Sequence, residues 1–176
     1  MIGTEDQKVV AMARLASAAA LGAAGGMRTF LPLAALGARG SLGSRPLSRG
    51  LGLLAAAELI GDKLPAAPSR LALPALSGRA VSAILGGARV AGATGAVVAV
   101  LAAMATAHAG HYARRRLVRR TGLPDWPLAL AEDCLALTLA ALGSRADPKD
   151  QPDEETTTAR LRWRAAHSST STSEIT

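Results

Sequence analysis

Apolar residues in this chain come in long unbroken blocks rather than at amphipathic spacing, and most of them are small. From Val9 to Gly26 only Arg14 and Ser17 interrupt the run, with no Pro, Asn or Asp to break it, so the pattern predicts a helix. Pro32 removes a backbone donor and predicts that this helix kinks or ends near Phe30. Gly, Ser and Pro mark residues 37–50 as a loop. A second apolar helix is predicted from Leu51 to Ile60, with Glu58 inside it and Gly61-Asp62-Lys63-Leu64-Pro65 ending it. A Pro-rich connector through Pro65, Pro68 and Pro74 leads to Gly78.

Residues 80–88 are apolar up to Arg89, and Val90 to Ala113 carries no formal charge with His counted as neutral. Those 24 residues would span ~36 Å as helix, enough for the hydrocarbon of a bilayer. Arg114, Arg115, Arg116, Arg119 and Arg120 follow at once, which predicts a cytoplasmic position for residues 111–120. After a turn at Thr121–Asp125, a last apolar helix runs from Trp126, a candidate interfacial anchor, to Gly143, with Glu132 and Asp133 inside it. From Ser144 the composition turns to Asp, Pro, Glu, Thr and Ser, which predicts a disordered tail.

These elements predict an all-α fold: a polytopic membrane helix bundle over residues 1–143 with about four hydrophobic helices, some broken or re-entrant, and a polar tail over 144–176. The first helix also has the features of a signal-peptide core, with Ala18-Ala19-Ala20 as a small-residue cleavage site, although Glu5 and Asp6 spoil a basic leader. Two halves, 9–70 and 80–143, suggest an internal two-fold repeat: Gly22-Ala23-Ala24-Gly25 resembles Gly92-Ala93-Thr94-Gly95, and Ala56-Ala57-Glu58 resembles Leu130-Ala131-Glu132. Chance matching between Ala/Gly-rich helices is the competing explanation. The number of spans, and with it the side on which the termini lie, is left open.

Composition sharpens the membrane reading. Hydrophobic residues make up 49% of the chain but aromatics only 2%, so little large side-chain area exists for a core that excludes water. Small residues instead suit close helix packing in lipid, and Gly22-x-x-x-Gly26 has that form. The single cysteine, Cys134, excludes an internal disulfide framework and a Cys-based zinc site. The net charge of +7 fits anionic headgroups around the five arginines better than nucleic acid, because that run lacks interleaved aromatics and abuts a span.

Intramembrane carboxylates mark the candidate chemistry, because each costs about 2.5–3.5 kcal/mol at the centre of a helix unless it is paired or protonated. Glu58 and Asp62 are four apart on one helix face, beside Lys63. Glu132 and Asp133 sit within the last helix. Arg28, Arg79 and Arg89 are the available counter-charges, and Thr29 offers a hydroxyl where Pro32 frees carbonyls. The candidate polar membrane site is therefore Glu58, Asp62, Lys63, Glu132, Asp133, Arg28, Thr29 and Arg79, with Glu58 and Glu132 expected to lie near each other. The competing explanation is that these charges bridge locally or reach the headgroups. His108 and His111 have the spacing of a metal pair but no acidic or Cys neighbour, so no metal is assigned to them. Lys63 and Arg70 have the spacing of a lipid-phosphatase motif, yet Leu71 stands where Pro is needed and no Ser-Gly-His follows. No P-loop, Gly-x-Ser-x-Gly or His-Glu-x-x-His motif occurs, so neither catalysis nor a cofactor is expected.

Gly26-Met27-Arg28-Thr29-Phe30-Leu31-Pro32-Leu33, Ala57-Glu58-Leu59-Ile60-Gly61-Asp62-Lys63-Leu64-Pro65 with Pro68-Ser69-Arg70, Gly78-Arg79-Ala80, and Leu123-Pro124 with Ala131-Glu132-Asp133 resemble the bacterial domain-of-unknown-function family number 4126. The resemblance covers roughly residues 20–143; its most specific part is the Glu-x-x-Gly-Asp-Lys-x-Pro-x-x-Pro-x-Arg stretch. It implies a small integral membrane protein and brings no activity with it. Three functions follow as expectations: a transporter or channel-like protein of the inner membrane with an acidic midplane site, a structural or assembly protein, and, least supported, a lipid-modifying enzyme. A homo-oligomer is compatible with all three.

Overall fold

The computed structural model of the chain describes residues 4–61, 73–122 and 124–146, and these are helical almost throughout. Five α-helices follow in order: α1 (Thr4–Met27), α2 (Leu31–Ala38), α3 (Arg45–Gly61), α4 (Leu73–Thr121) and α5 (Asp125–Gly143), with a 3-10 turn, Ser144–Ala146, at the end. No strand occurs among the described residues. Asp62, Lys63, Arg70, most of the Pro-rich connector and residues 147–176 lie outside the described residues.

Three of these elements differ from the sequence pattern. Helix α3 begins at Arg45, inside the stretch 37–50 expected as a loop, and α4 begins at Leu73, inside the expected Pro-rich connector. The stretch after Pro32 is itself a short helix, because Pro at the second position of α2 sits where its missing N–H has no intrahelical partner to lose. The apolar run from Val90 does not form one continuous span from its first residue. Ala91 (φ −137°, ψ 24°) and Gly92 (φ 63°, ψ −153°) are non-helical and break α4 into two arms, 73–90 and 93–121. The arms fold back on each other. A Cβ placed on Gly87 would overlap Gly95 and Ala99, residues that a straight helix would hold more than ~10 Å away. Farther from the turn, Ala83 joins Ala99 and Ala103 in one cluster, so the arms are antiparallel. Glycine is required at 92, because its combination of φ and ψ is essentially closed to L side chains.

Helix α1 is the hub. Its Gly22 and Gly26 press on Ala99 and Ala103 of α4 so closely that a Cβ on either glycine would overlap backbone atoms. The Thr106 hydroxyl donates to the Ala23 carbonyl across the same seam (3.0 Å). Residues rise together along both helices here, so α1 and the second arm of α4 run parallel. On the other side, Ala24 and Met27 pack with Ala136 and Ala140, while Gly143 meets Ser17 and Leu21, so α5 runs antiparallel to α1. Helix α2 doubles back from the end of α1, and Leu36 joins Leu21 and Val90 in a second apolar cluster. Helix α3 returns beside α2, with Gly37 close to Ser48. The fold runs slightly past the expected boundary at Gly143: Ser144 is buried and accepts from Arg39 Nε (3.0 Å).

The radial distribution of size explains which solvent this bundle suits. Its buried positions are mostly Ala and Gly, whereas Leu53, Val81, Leu85, Val97, Leu101 and Leu137 point outward and are exposed. Water would penalise that arrangement, while lipid does not, and small residues inside let backbones approach. Helices α1 and α4 and the stretch Trp126–Ala146 are long and apolar enough to cross a membrane. The chain is a small polytopic helical membrane protein.

The two candidate repeat segments take up different positions. Gly22 is a packing contact inside α1, whereas Gly92 is the turn of α4.

Candidate functional site

The polar cluster is built around the three residues between α1 and α2. Arg28 continues the α1 hydrogen-bond pattern, its N–H donating to the Ala24 carbonyl (2.8 Å), and its side chain is only 1% exposed. Nη1 donates to the Met27 carbonyl (2.9 Å), a carbonyl left without an intrahelical partner where α1 ends. Nη2 forms an ion pair with Asp133 Oδ1. Asp133 is 5% exposed and stands near the middle of α5, so the pair ties the end of α1 to the middle of α5. Both charges are buried; either would be costly alone at that depth.

The next two residues meet Glu58. The Thr29 N–H donates to Oε1 (2.6 Å) and the Phe30 N–H to Oε2 (2.9 Å). These amides belong to the start of α2, whose N-cap, Phe30, has no side chain able to cap it. Glu58 therefore plays, from 28 positions away, the part that the acid of a capping box plays toward the N-cap amide, and its negative charge lies at the positive end of the α2 dipole. The same contact anchors the end of α3 to the break.

Glu132 lies elsewhere, one residue before Asp133 but turned from α5 toward α4, where its Oε2 is 3.7 Å from Arg114 Nη1. Glu58 and Glu132 are thus held by different partners: backbone amides for the first, an arginine for the second. Arg79 is buried on the first arm of α4, beside Gly78, whose position adjoins the Thr29 methyl. Arg89 Nε donates to the Ser41 carbonyl (3.3 Å), within the protein. His108 Nδ1 lies 2.8 Å from the Met104 carbonyl, and His111 meets the Tyr112 ring edge-on.

The cluster contains partners that sequence reasoning did not assign. Arg114 was grouped with the headgroup-facing arginines, yet it reaches Glu132; the hint was its place at the head of the run, nearest the apolar span. Thr106 carries only the sequence signal of a hydroxyl within the uncharged run 90–113. Asp133, rather than Glu132, is the residue that meets Arg28.

Two open clefts flank the cluster. One, about 330 Å³, lies beside Thr29, Phe30, Leu33, Ser77 and Ser82. The other, about 370 Å³, lies between the second arm of α4 and α5 and is lined by apolar side chains together with Arg114 and Glu132. No family model, curated protein or solved structure matches the chain.

Proposed function

We propose that the protein is a non-catalytic structural or assembly component of a bacterial cytoplasmic membrane, in which the intramembrane charges lock a broken-helix bundle into one arrangement. The observation that carries this reading is that three acids each reach a partner on another element of the bundle. Glu58 holds the two amides that open α2, Asp133 holds Arg28, and Glu132 faces Arg114. A carboxylate that carried ions through the bilayer would need to exchange partners, whereas Glu58 and Asp133 are both engaged in joining one helix of the fold to another. Arg115, Arg116, Arg119 and Arg120 face the cytoplasmic headgroups in this reading. Membership of the 4126 family is part of the proposal, carried by the motif around Glu58.

A transporter or channel-like function is the second reading. The observation favouring it is the break between α1 and α2, where two helix ends meet charged side chains inside the bundle, as discontinuous helices do at transporter binding sites.

Purified protein reconstituted into liposomes separates the two. The structural reading expects proton and cation flux no greater than in empty liposomes, with Glu58→Gln and Asp133→Asn lowering thermal stability in detergent. Flux well above empty liposomes that Glu58→Gln abolishes while the protein stays folded would establish transport instead.

A further inference from the structure

The cleft between α4 and α5 ends at a cationic rim, and this pairing points to a ligand. Helix α5 rests on α1 and diverges from the second arm of α4, leaving a groove floored by Met27 and walled by Gly110, Leu117, Leu128 and Leu135. From Thr106 to Leu117 the groove follows twelve residues of helix, or ~16 Å, about half the hydrocarbon thickness. That is the depth of one leaflet. Arg114 stands at the mouth, held there by Glu132. Arg120 lies three residues beyond Leu117 on the same helix face, where the chain leaves the apolar zone. Between Gly110 and Glu132 the sequence carries five arginines against Asp125 and Glu132, a net charge of +3.

We propose that this groove is a site for an anionic glycerophospholipid, with one acyl chain between α4 and α5 and the phosphate at Arg114 and Arg120. Charge complementarity selects an anionic lipid over a zwitterionic one, and basic pockets between membrane helices on the cytoplasmic side take such headgroups. The apolar walls select a lipid over a free anion. The site rests on the membrane reading of the chain but not on the choice between a structural and a transport role.

The test uses the full chain in nanodiscs of phosphatidylcholine doped with phosphatidylglycerol, with the lipids retained on mild detergent extraction measured by native mass spectrometry. Phosphatidylglycerol is expected to be enriched at least tenfold over its share of the bilayer, with inorganic phosphate failing to displace it. Two variants address the groove and the rim independently. Gly110→Leu fills the groove, where a Cβ makes only ordinary contact with Glu132, and leaves every charge in place. Arg120→Gln alters the rim and leaves the Arg114–Glu132 pair intact. Each is expected to reduce the enrichment at least fivefold while the protein remains inserted. Equal retention of the two lipids by the wild-type chain would overturn the proposal. Enrichment that survives Gly110→Leu would overturn it too, since surface charge alone would then account for the selection. A chain that fails to enter nanodiscs would instead contradict the membrane reading.

Discussion

Glu58 shows how one residue can serve a fold from a distance. The sequence marks it as an acid inside an apolar helix, which is enough to single it out but not to identify its partners. Those are two backbone amides, and every residue has one, so nothing in the sequence distinguishes Thr29 and Phe30 as recipients. Arg28 was easier to read, because a buried arginine needs an anion, and the last helix offers two adjacent ones. The choice of Asp133 over Glu132 depends on which face of α5 meets α1, and that face is set by alanines at 136 and 140 whose like occur all along the chain. At this scale the structure predicts that Glu58→Gln, which keeps one acceptor and loses the charge, lowers stability in detergent by about 1–2 kcal/mol, the range of a lost cap. Chemical or thermal denaturation followed by circular dichroism measures it. Ala at the same position should cost more, because both amides then lose their partner.

At the scale of elements, the four expected hydrophobic blocks are all present as helices, because long apolar runs without Pro have few other options in lipid. The break near Phe30 was legible from Pro32. The hairpin at Ala91–Gly92 was not: a glycine in a Gly-rich apolar run looks the same whether it packs a helix or turns one. Only the positive φ of Gly92, set by the close approach of Gly87 and Gly95 across the turn, distinguishes it. Gly92→Ala should destabilise the protein by about 1–3 kcal/mol through backbone strain, although a Cβ there meets no neighbour. As a control, Ala93→Ser beside it, which changes no backbone requirement, should be nearly neutral. Gly22→Leu should be worse than Gly92→Ala, by about 3 kcal/mol or more, because it forces α1 away from Ala99 along a whole seam. Melting temperatures of the three variants in one detergent rank them.

For the molecule as a whole, the membrane class was the most legible property, because it depends on composition rather than on contacts. Few aromatics and abundant Ala and Gly exclude a conventional water-soluble core, and the structure places small residues inside and large ones outside accordingly. The sequence singles out charged side chains within apolar runs but not their arrangement, and Asp62 and Lys63 lie outside the described residues. Arg28, Thr29, Glu58 and Asp133 do meet at the helix break, while Glu132 belongs to the α4–α5 groove. Residues 147–176 are too polar to bury a core, so a chain truncated after Ala146 should insert and melt like the full one, whereas truncation before Ser144 should remove the Arg39 contact and lower the melting temperature. The central claim is that the buried charges hold helices together. It is tested most directly by the coupling free energy between Arg28 and Asp133, from a double-mutant cycle of Arg28→Met and Asp133→Leu in detergent. Each single variant is expected to lose about 3–5 kcal/mol by leaving the other charge buried without its ion-pair partner, and the double variant to recover a large part of that loss. Single variants as stable as the wild type, or losses that simply add in the double variant, would contradict the account.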